Sequence, residues 1–319
     1  MNDKGKKQPL LVLAGPTAVG KTELSLRMAE ELNGAVISAD SMQVYRQMDI
    51  GSAKIMPEER RGIPHYLIDV LDPEEDFNVF RFQQMAGEAI AEIHEKGMLP
   101  ILTGGTGFYI QAVLKNIDFT ENEGHQEIRT QMEALAQAQG PEAVYRELQK
   151  LDPEAAADIH PHNVKRVIRA IEYYQMTGKP ISAHNREQRE RRSAYHSALF
   201  VLTDERQRLY ENINRRVDLM MENGLVEEVR RLVGRGLTED NISMKGIGYR
   251  ELFPYFRGEI SLEQAVEEIK KDTRHFAKRQ ITWFKREEDA IWVNKKDFGY
   301  DEEKILAYLL KTWKELPED

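Results

Sequence analysis

The stretch Gly15-Pro16-Thr17-Ala18-Val19-Gly20-Lys21-Thr22 fits the pattern G-x-x-x-x-G-K-[ST], and its flanks decide what the pattern means. Before it, Leu10-Leu11-Val12-Leu13-Ala14 is an unbroken apolar run that reads as a buried strand; after it, Leu24, Met28 and Leu32 recur at helical spacing. Strand, glycine-containing turn and helix in that order make an anion cradle. Backbone N–H groups turn inward around phosphate oxygens, and the helix N-terminus adds partial positive charge. Lys21 supplies a point charge, and the Thr22 hydroxyl suits the shell of a magnesium ion. A diphosphate or triphosphate ester is therefore expected on residues Gly15 to Thr22. The loop alone does not say which, since kinases, ATPases, GTPases and diphosphate-releasing transferases can all use it.

Working outward, further short apolar runs occur at Ala35–Ser38, Tyr66–Ile68, Leu99–Thr103, Ala198–Leu202 and Ala290–Val293, with helical stretches between them. This alternation predicts an α/β fold, a P-loop NTPase-like and mainly parallel sheet with helices on both faces. Val79, Phe82, Ala86, Ala89, Ile90 and Ile93 mark one side of a helix ending near Gly97, and Ser261 with Gln264 gives a capping-box start for a long helix towards Arg286. From about Ile117 to Ser197 only helical patterns remain, broken at Gly140-Pro141, Asp152-Pro153, His160-Pro161 and Gly178-Lys179-Pro180. The expected organisation is a core of residues 1–116 and 198–319 with an inserted all-helical domain, 117–197. The first eight residues read as a loose tail.

Composition narrows the chemistry. The 319 residues include no cysteine, so disulfides, thiolate nucleophiles and Cys-built zinc sites are excluded, and a hard cation such as Mg²⁺ is the expected cofactor. The histidines show no paired ligand spacing. No apolar run approaches a membrane span, and the run following Lys4-Gly5-Lys6-Lys7 is too short for a signal-peptide core; a cytoplasmic protein is expected. A formal charge of −9 argues against nonspecific coating of nucleic acid, yet Val164–Arg192 holds eight Lys or Arg against three Glu, and Lys270–Arg286 seven against one Asp. Each basic stretch is either a solvated helix face or part of a nucleic-acid surface.

Several residues stand out individually. Asp40 ends the second strand, on the sheet edge where open α/β folds hold ligands; it is a candidate general base, an N-cap, or a magnesium-organising carboxylate. Asp69 is a weaker strand-end candidate, followed closely by Pro73. Thr103-Gly104-Gly105-Thr106-Gly107 is a hydroxyl-bearing turn on the same rim, or a tight turn capped by Thr106. Arg216 shares the stripe of Leu209, Ile213 and Met220 and lacks an acidic i±4 neighbour, whereas Arg215 has Glu211. A guanidinium in an otherwise apolar slot calls for an anion, and a diphosphate would serve. In the insertion, Arg166, Arg169 and Tyr173 fall on one helical face that suits a nucleic-acid backbone and a stacked base. In the long C-terminal helix Arg274, Lys278, Arg279 and Lys285 surround Phe276, Trp283 and Phe284. Asn294-Lys295-Lys296-Asp297 fits the guanine-reading N-K-x-D, but no D-x-x-G lies between it and the phosphate loop, so a polar turn is the preferred reading.

Taken together the chain resembles the bacterial tRNA dimethylallyltransferases, nearly end to end. The resemblance rests on Gly15–Thr22, Ser38–Tyr45, Asp49–Lys54, Pro64–Asp69, Gly104–Gly107, Arg166–Glu172, Ile247–Glu251 and Arg279–Phe284. The bacterial form is implied because eukaryotic relatives add a zinc finger, which needs cysteine. The resemblance implies transfer of a dimethylallyl group from dimethylallyl diphosphate to N6 of adenosine 37 in a tRNA anticodon stem-loop, by a monomer. It implies catalytic roles for Asp40, Thr17, Lys21 and Arg216, and a diphosphate site of Gly15, Pro16, Thr17, Ala18, Val19, Gly20, Lys21, Thr22 and Arg216, with Mg²⁺ at Thr22. Asp40, Ser41, Met42, Gln43, Thr106, Arg166, Arg169, Lys278 and Arg279 would contact tRNA; of these Ser41, Met42 and Gln43 would bound the adenine pocket and Thr106 would line the channel joining the two substrates. Alternatives are a P-loop phosphotransferase acting on a small acceptor, a nucleotide-gated RNA-binding switch, and a prenyltransferase acting on free adenine nucleotides.

Overall fold

A computed structural model describes residues 6–119 and 126–317. Each of the six apolar runs forms a strand: β1 (Pro9–Ala14), β2 (Gly34–Ala39), β3 (His65–Tyr66), β4 (Leu99–Gly104), β5 (His196–Thr203) and β6 (Ala290–Asn294). They form one sheet in the order β3-β2-β4-β1-β5-β6. Every pairing is parallel. The third strand stops at Tyr66 instead of Ile68, because Leu67 (φ 61°) and Asp69 (φ 58°) take the left-handed conformation and turn the chain out of the sheet.

The helices are α1 (Lys21–Leu32), α2 (Val79–Glu95), α3 (Gly107–Leu114), α4 (Gln126–Gln139), α5 (Pro141–Leu151), α6 (Pro153–Asp158), α7 (Val164–Thr177), α8 (Ile181–Glu190), α9 (Arg206–Glu222), α10 (Leu225–Gly234), α11 (Phe253–Phe256), α12 (Leu262–Phe284) and α13 (Glu302–Lys314). Unbroken apolar strands are what a doubly covered sheet requires. Leu10, Val12 and Ala14 of β1 face a core shared with α2, α3 and α10, while Leu11 and Leu13 face a second core shared with α1, α9 and α13. Asn78 caps α2 through its side chain, and Ser261 and Gln264 form the expected reciprocal cap on α12.

The chain divides into two compact units, one running to Asn116 and resuming at Ser193, the other Ile117–Arg192. The second unit ends five residues before Ser197, since the chain from His196 already belongs to β5. That unit has its own core of Val144, Leu148, Ala155, Ala156, Val167, Ile168, Ala170 and Ile171. The Gly-Pro and Asp-Pro breaks fall at helix starts: Pro141 and Pro153 occupy first-turn positions, and Asp152 accepts a hydrogen bond from Ala155 N–H at 2.9 Å to cap α6. With all strands parallel, the segments after β1, β2, β4, β5 and β6 emerge at one edge of the sheet, where chemistry in such folds is found.

Candidate active site

The loop after β1 is shaped by two glycines. Gly15 has φ +145°, and a Cβ on it would collide with the Leu202 carbonyl of β5; Gly20 adopts φ +99° as it hands the chain to α1. Lys21 opens that helix, and its Nζ folds back to donate to the carbonyls of Gly15 (2.9 Å) and Pro16 (2.7 Å). Thr22 follows, exposed on the first turn.

Around this loop stand contributions from β2, α9 and α12. Arg216 donates from Nη1 to the Thr17 hydroxyl at 3.2 Å. The buried stripe of α9 is Leu209, Ile213 and Val217, so Arg216 sits beside that stripe and is turned to the loop. Gln280, which sequence reasoning did not single out, is buried and bridges two turns: its Oε1 accepts from Thr17 N–H at 2.9 Å and its Nε2 donates to Gly105 O at 3.0 Å. A polar residue in the buried stripe of Ala277 and Phe284 is the same signal that identifies Arg216, and could have found it. Asp40 lies just past β2; its Oδ1 accepts from Met42 N–H at 2.8 Å and Gln43 N–H at 3.4 Å. No helix starts there, so the capping role reduces to a turn acceptor and the other carboxylate oxygen makes none of these bonds.

These groups border a cavity of about 300 Å³ lined by Thr17, Ala18, Gly20, Lys21, Thr22, Ser38, Asp40, Gln43, Ser52, Thr103, Gly104, Gly105, Asn212, Arg216, Phe276 and Gln280. Burial, with the neighbouring Arg216 guanidinium, pushes Lys21 down to about 7, and Asp40 restores only part of that. Burial also lowers Arg216, again partly offset by Asp40. Two confined basic groups offset by one carboxylate favour an anionic guest.

Other expected site residues lie elsewhere. Pro16 and Val19 belong to the loop without lining the cavity, and Ser41 and Thr106 are likewise outside its wall; Thr106 occupies the N-cap position of α3 without a side-chain cap bond. The Gln43 amide is held by the protein: Oε1 accepts from Ser38 Oγ at 2.8 Å, and Nε2 donates to the carbonyls of Ser52 and Ala53. Asp69 is engaged with the buried Lys54 ammonium at 2.5 Å, which removes it as a strand-end catalyst. In the second unit Arg166 is exposed, but Tyr173 is only 6% exposed and packs beside His184, so it cannot offer its face to a base as expected. Arg169 is half-buried and 3.9 Å from the buried Glu172 carboxylate. Lys278 and Arg279 are exposed on α12. In the N-K-x-D segment, Asn294 accepts from Lys296 N–H to start a short 3₁₀ turn, while the Lys295 ammonium lies against the phosphate loop, 3.1 Å from where a Gly20 Cβ would stand.

Residues 43–287 match the family described as IPP transferase. The chain belongs to that family. A tRNA dimethylallyltransferase of Lachnoclostridium phytofermentans is 56% identical over 304 residues, covering 95% of this chain and 97% of that protein. One of Acetivibrio thermocellus is 49% identical over 306 residues, covering 95% and 98%. Among solved structures, a tRNA delta(2)-isopentenylpyrophosphate transferase of Staphylococcus epidermidis is 43% identical with a TM-score of 0.71, covering 96% of this chain and 98% of that one. A eukaryotic dimethylallyltransferase acting on tRNA is 29% identical with a TM-score of 0.84, covering 98% of this chain and 81% of that one. The chain is thus a transferase of the tRNA-prenylating kind, on the P-loop NTPase-like fold expected from its sequence. Among the described residues no helix is long and apolar enough to cross a membrane.

Proposed function

We propose that the chain transfers the dimethylallyl group of dimethylallyl diphosphate to N6 of adenosine 37 in the anticodon stem-loop of tRNA, releasing diphosphate. The observation that carries this reading is the cavity in which a phosphate loop, Lys21 and Arg216 share space with a single strand-end carboxylate, Asp40. The C1–O bond of an allylic diphosphate breaks with its electron pair leaving on oxygen, so cations at the leaving group lower the barrier and C1 gains carbocation character. The Gly15–Thr22 amides, Lys21 and Arg216 would receive that charge. Adenine N6 is a weak nucleophile whose proton becomes acidic as the N6–C1 bond forms; Asp40 accepts that proton. The base must leave the anticodon stack to reach C1, as for other enzymes that modify a base within folded nucleic acid.

Among the described residues no group of three or more His, Asp or Glu side chains could hold a metal ion. A Mg²⁺ ion would therefore be held by the exposed Thr22 hydroxyl together with oxygens of the diphosphate itself, which suits a hard cation. When bound it would neutralise charge on the leaving group. Exposed Arg166, Lys278 and Arg279, with half-buried Arg169, would contact the tRNA backbone, and Ser41, Met42, Gln43 and Thr106 would approach the adenine. A monomer acting in the cytoplasm completes the reading.

The test is incubation of the protein with dimethylallyl diphosphate, Mg²⁺ and unmodified tRNA, followed by mass analysis of the nucleosides. Prenylated adenosine is expected. Its absence refutes the proposal, and faster reaction with AMP than with tRNA would redirect it to free nucleotides.

A further inference from the structure

Glu228 on α10 is 1% exposed, yet its carboxylate meets a donor in four directions. Oε2 accepts from the N–H groups of Asp49 (2.9 Å) and Ile50 (2.8 Å). Oε1 accepts from Gly51 N–H (3.1 Å) and from the Tyr249 hydroxyl (2.7 Å). Three successive backbone N–H groups wrapped around one carboxylate are an anion nest filled by the protein itself. The fit is tight: a Cβ on Gly51 would stand 2.6 Å from the Tyr249 ring.

What this clasp holds matters more than the clasp. The carbonyls of Ser52 and Ala53, the next residues along, receive the Gln43 amide at 3.3 and 3.4 Å. Gln43 in turn gives its backbone N–H to Asp40 Oδ1. The other side of the turn is fixed by the same C-terminal segment that carries Tyr249, for the Met42 sulfur packs so closely on Gly246 that a Cβ there would come within 2.5 Å of it. Contacts thus run without a break from Glu228 to the turn bearing Asp40; none of these hydrogen bonds includes a residue of the phosphate loop or Arg216, although Glu228 and Arg216 border one further cavity.

We propose that Glu228, with Tyr249, is a positioning residue for the acceptor half of the reaction: it sets the Asp40–Gln43 turn against adenine while leaving the grip on the donor untouched. This rests on the tRNA-prenylating reading above. Displacement of a reacting group by about 1 Å costs up to ~100-fold in rate, so Glu228→Gln, which turns one acceptor oxygen into an NH₂ facing donors, should lower kcat with tRNA by about 10- to 100-fold. Pyrophosphate affinity, measured by calorimetry on the same preparation, should stay within about twofold of the parent, the residual coupling expected between sites that share no hydrogen-bond partner. Tyr249→Phe keeps the ring against Gly51 and removes one bond of the four, so it should lower the same parameter by a smaller factor and again spare pyrophosphate.

A folded Glu228→Gln protein with unchanged kcat overturns the proposal, as does a parallel fall in kcat and pyrophosphate affinity, which would mean general loosening. If Glu228→Gln does not fold, Tyr249→Phe decides, and unchanged turnover there overturns it equally. The parent protein separates this outcome from failure of the functional reading: parent activity with indifferent variants refutes the positioning role alone, whereas no prenylated tRNA from the parent refutes the reading beneath it.

Discussion

Binding of the diphosphate donor should take up a proton, and the proton should land on Lys21. In the free protein burial and the Arg216 guanidinium push this lysine down to about 7 from 10.5. An anion against Nζ favours the charged form and restores the ordinary value. The sign follows. Below the free pKa Lys21 is charged before and after binding, so its ionisation gives the affinity no pH dependence there. Above that pKa the free lysine is neutral, each binding event recruits a proton, and affinity falls about tenfold per pH unit until the pKa of the complex is reached. At pH 8 roughly one lysine in ten is still charged when the pKa is near 7, so about 0.9 proton should be taken up per pyrophosphate bound; at pH 6 about 0.1. Calorimetry in buffers of different ionisation enthalpy reads the net proton exchange from the slope of apparent heat against buffer enthalpy, and the difference between the parent and a variant without a titrating group at position 21 isolates the Lys21 share from that of pyrophosphate itself. Lys21→Arg supplies a group that stays charged throughout, so at pH 8 the parent should take up about 0.9 proton more than this variant per pyrophosphate bound. Equal net exchange in the parent and Lys21→Arg at pH 8 refutes the assignment.

Three further outcomes are expected. Asp40→Ala should bind tRNA as the parent does while turnover drops by about 100-fold or more, the ordinary loss for a general base; filter binding and single-turnover kinetics measure the two, and undiminished turnover removes Asp40 from that role. Arg216→Ala should weaken pyrophosphate and slow transfer together, and Arg216→Lys should recover only part of each because an ammonium cannot reproduce the planar fork; full recovery by lysine would show that charge alone matters. Arg166→Ala should reduce the dependence of log K for tRNA on log salt by about one unit, whereas an unaltered slope means that this guanidinium meets no phosphate. Arg169→Ala is the poorer probe, since Arg169 also faces the buried Glu172.

The parallel sheet was legible because both of its faces are covered, which forces apolar runs such as Leu10–Ala14 with no polar interruption. The end of β3 was not, because a positive φ at Leu67 leaves no mark in a leucine. Asp40 and Asp69 look alike in sequence, each at the end of a predicted strand. What distinguishes them is Lys54, brought between Asp49 and Asp69 by the fold and absent from the cavity around Asp40. The burial of Tyr173 is illegible for a related reason: helical periodicity places it on a face with Arg166 and Arg169, but the fold packs that part of the face against His184. Arg216, Glu228 and Gln280 share a legible signature, a polar side chain beside or within a buried apolar stripe, as with Glu228 among Leu225, Val229 and Leu232. Arg216 is the most legible of the three, because it also lacks an acidic neighbour one helical turn away.

The state of Lys21 also bears on which group removes the proton from adenine. Pushed down to about 7 by burial and the Arg216 charge, the free lysine is partly neutral near pH 7 and so can itself accept a proton. Donor binding changes that: an ammonium held against diphosphate is protonated and has no lone pair to offer. Arg216, though lowered in the same direction, remains a cation. Among the described residues lining the cavity the remaining proton acceptor with formal charge is Asp40. One of its oxygens is committed to the turn by Met42 and Gln43, which fixes the orientation of the other. On the proposed reading, a bound donor would hold Lys21 as a protonated clamp on the leaving group, whichever substrate binds first, and would leave proton acceptance to Asp40. If proton uptake at Lys21 fails while Asp40→Asn retains full turnover, that division of labour is reversed and the lysine is the base.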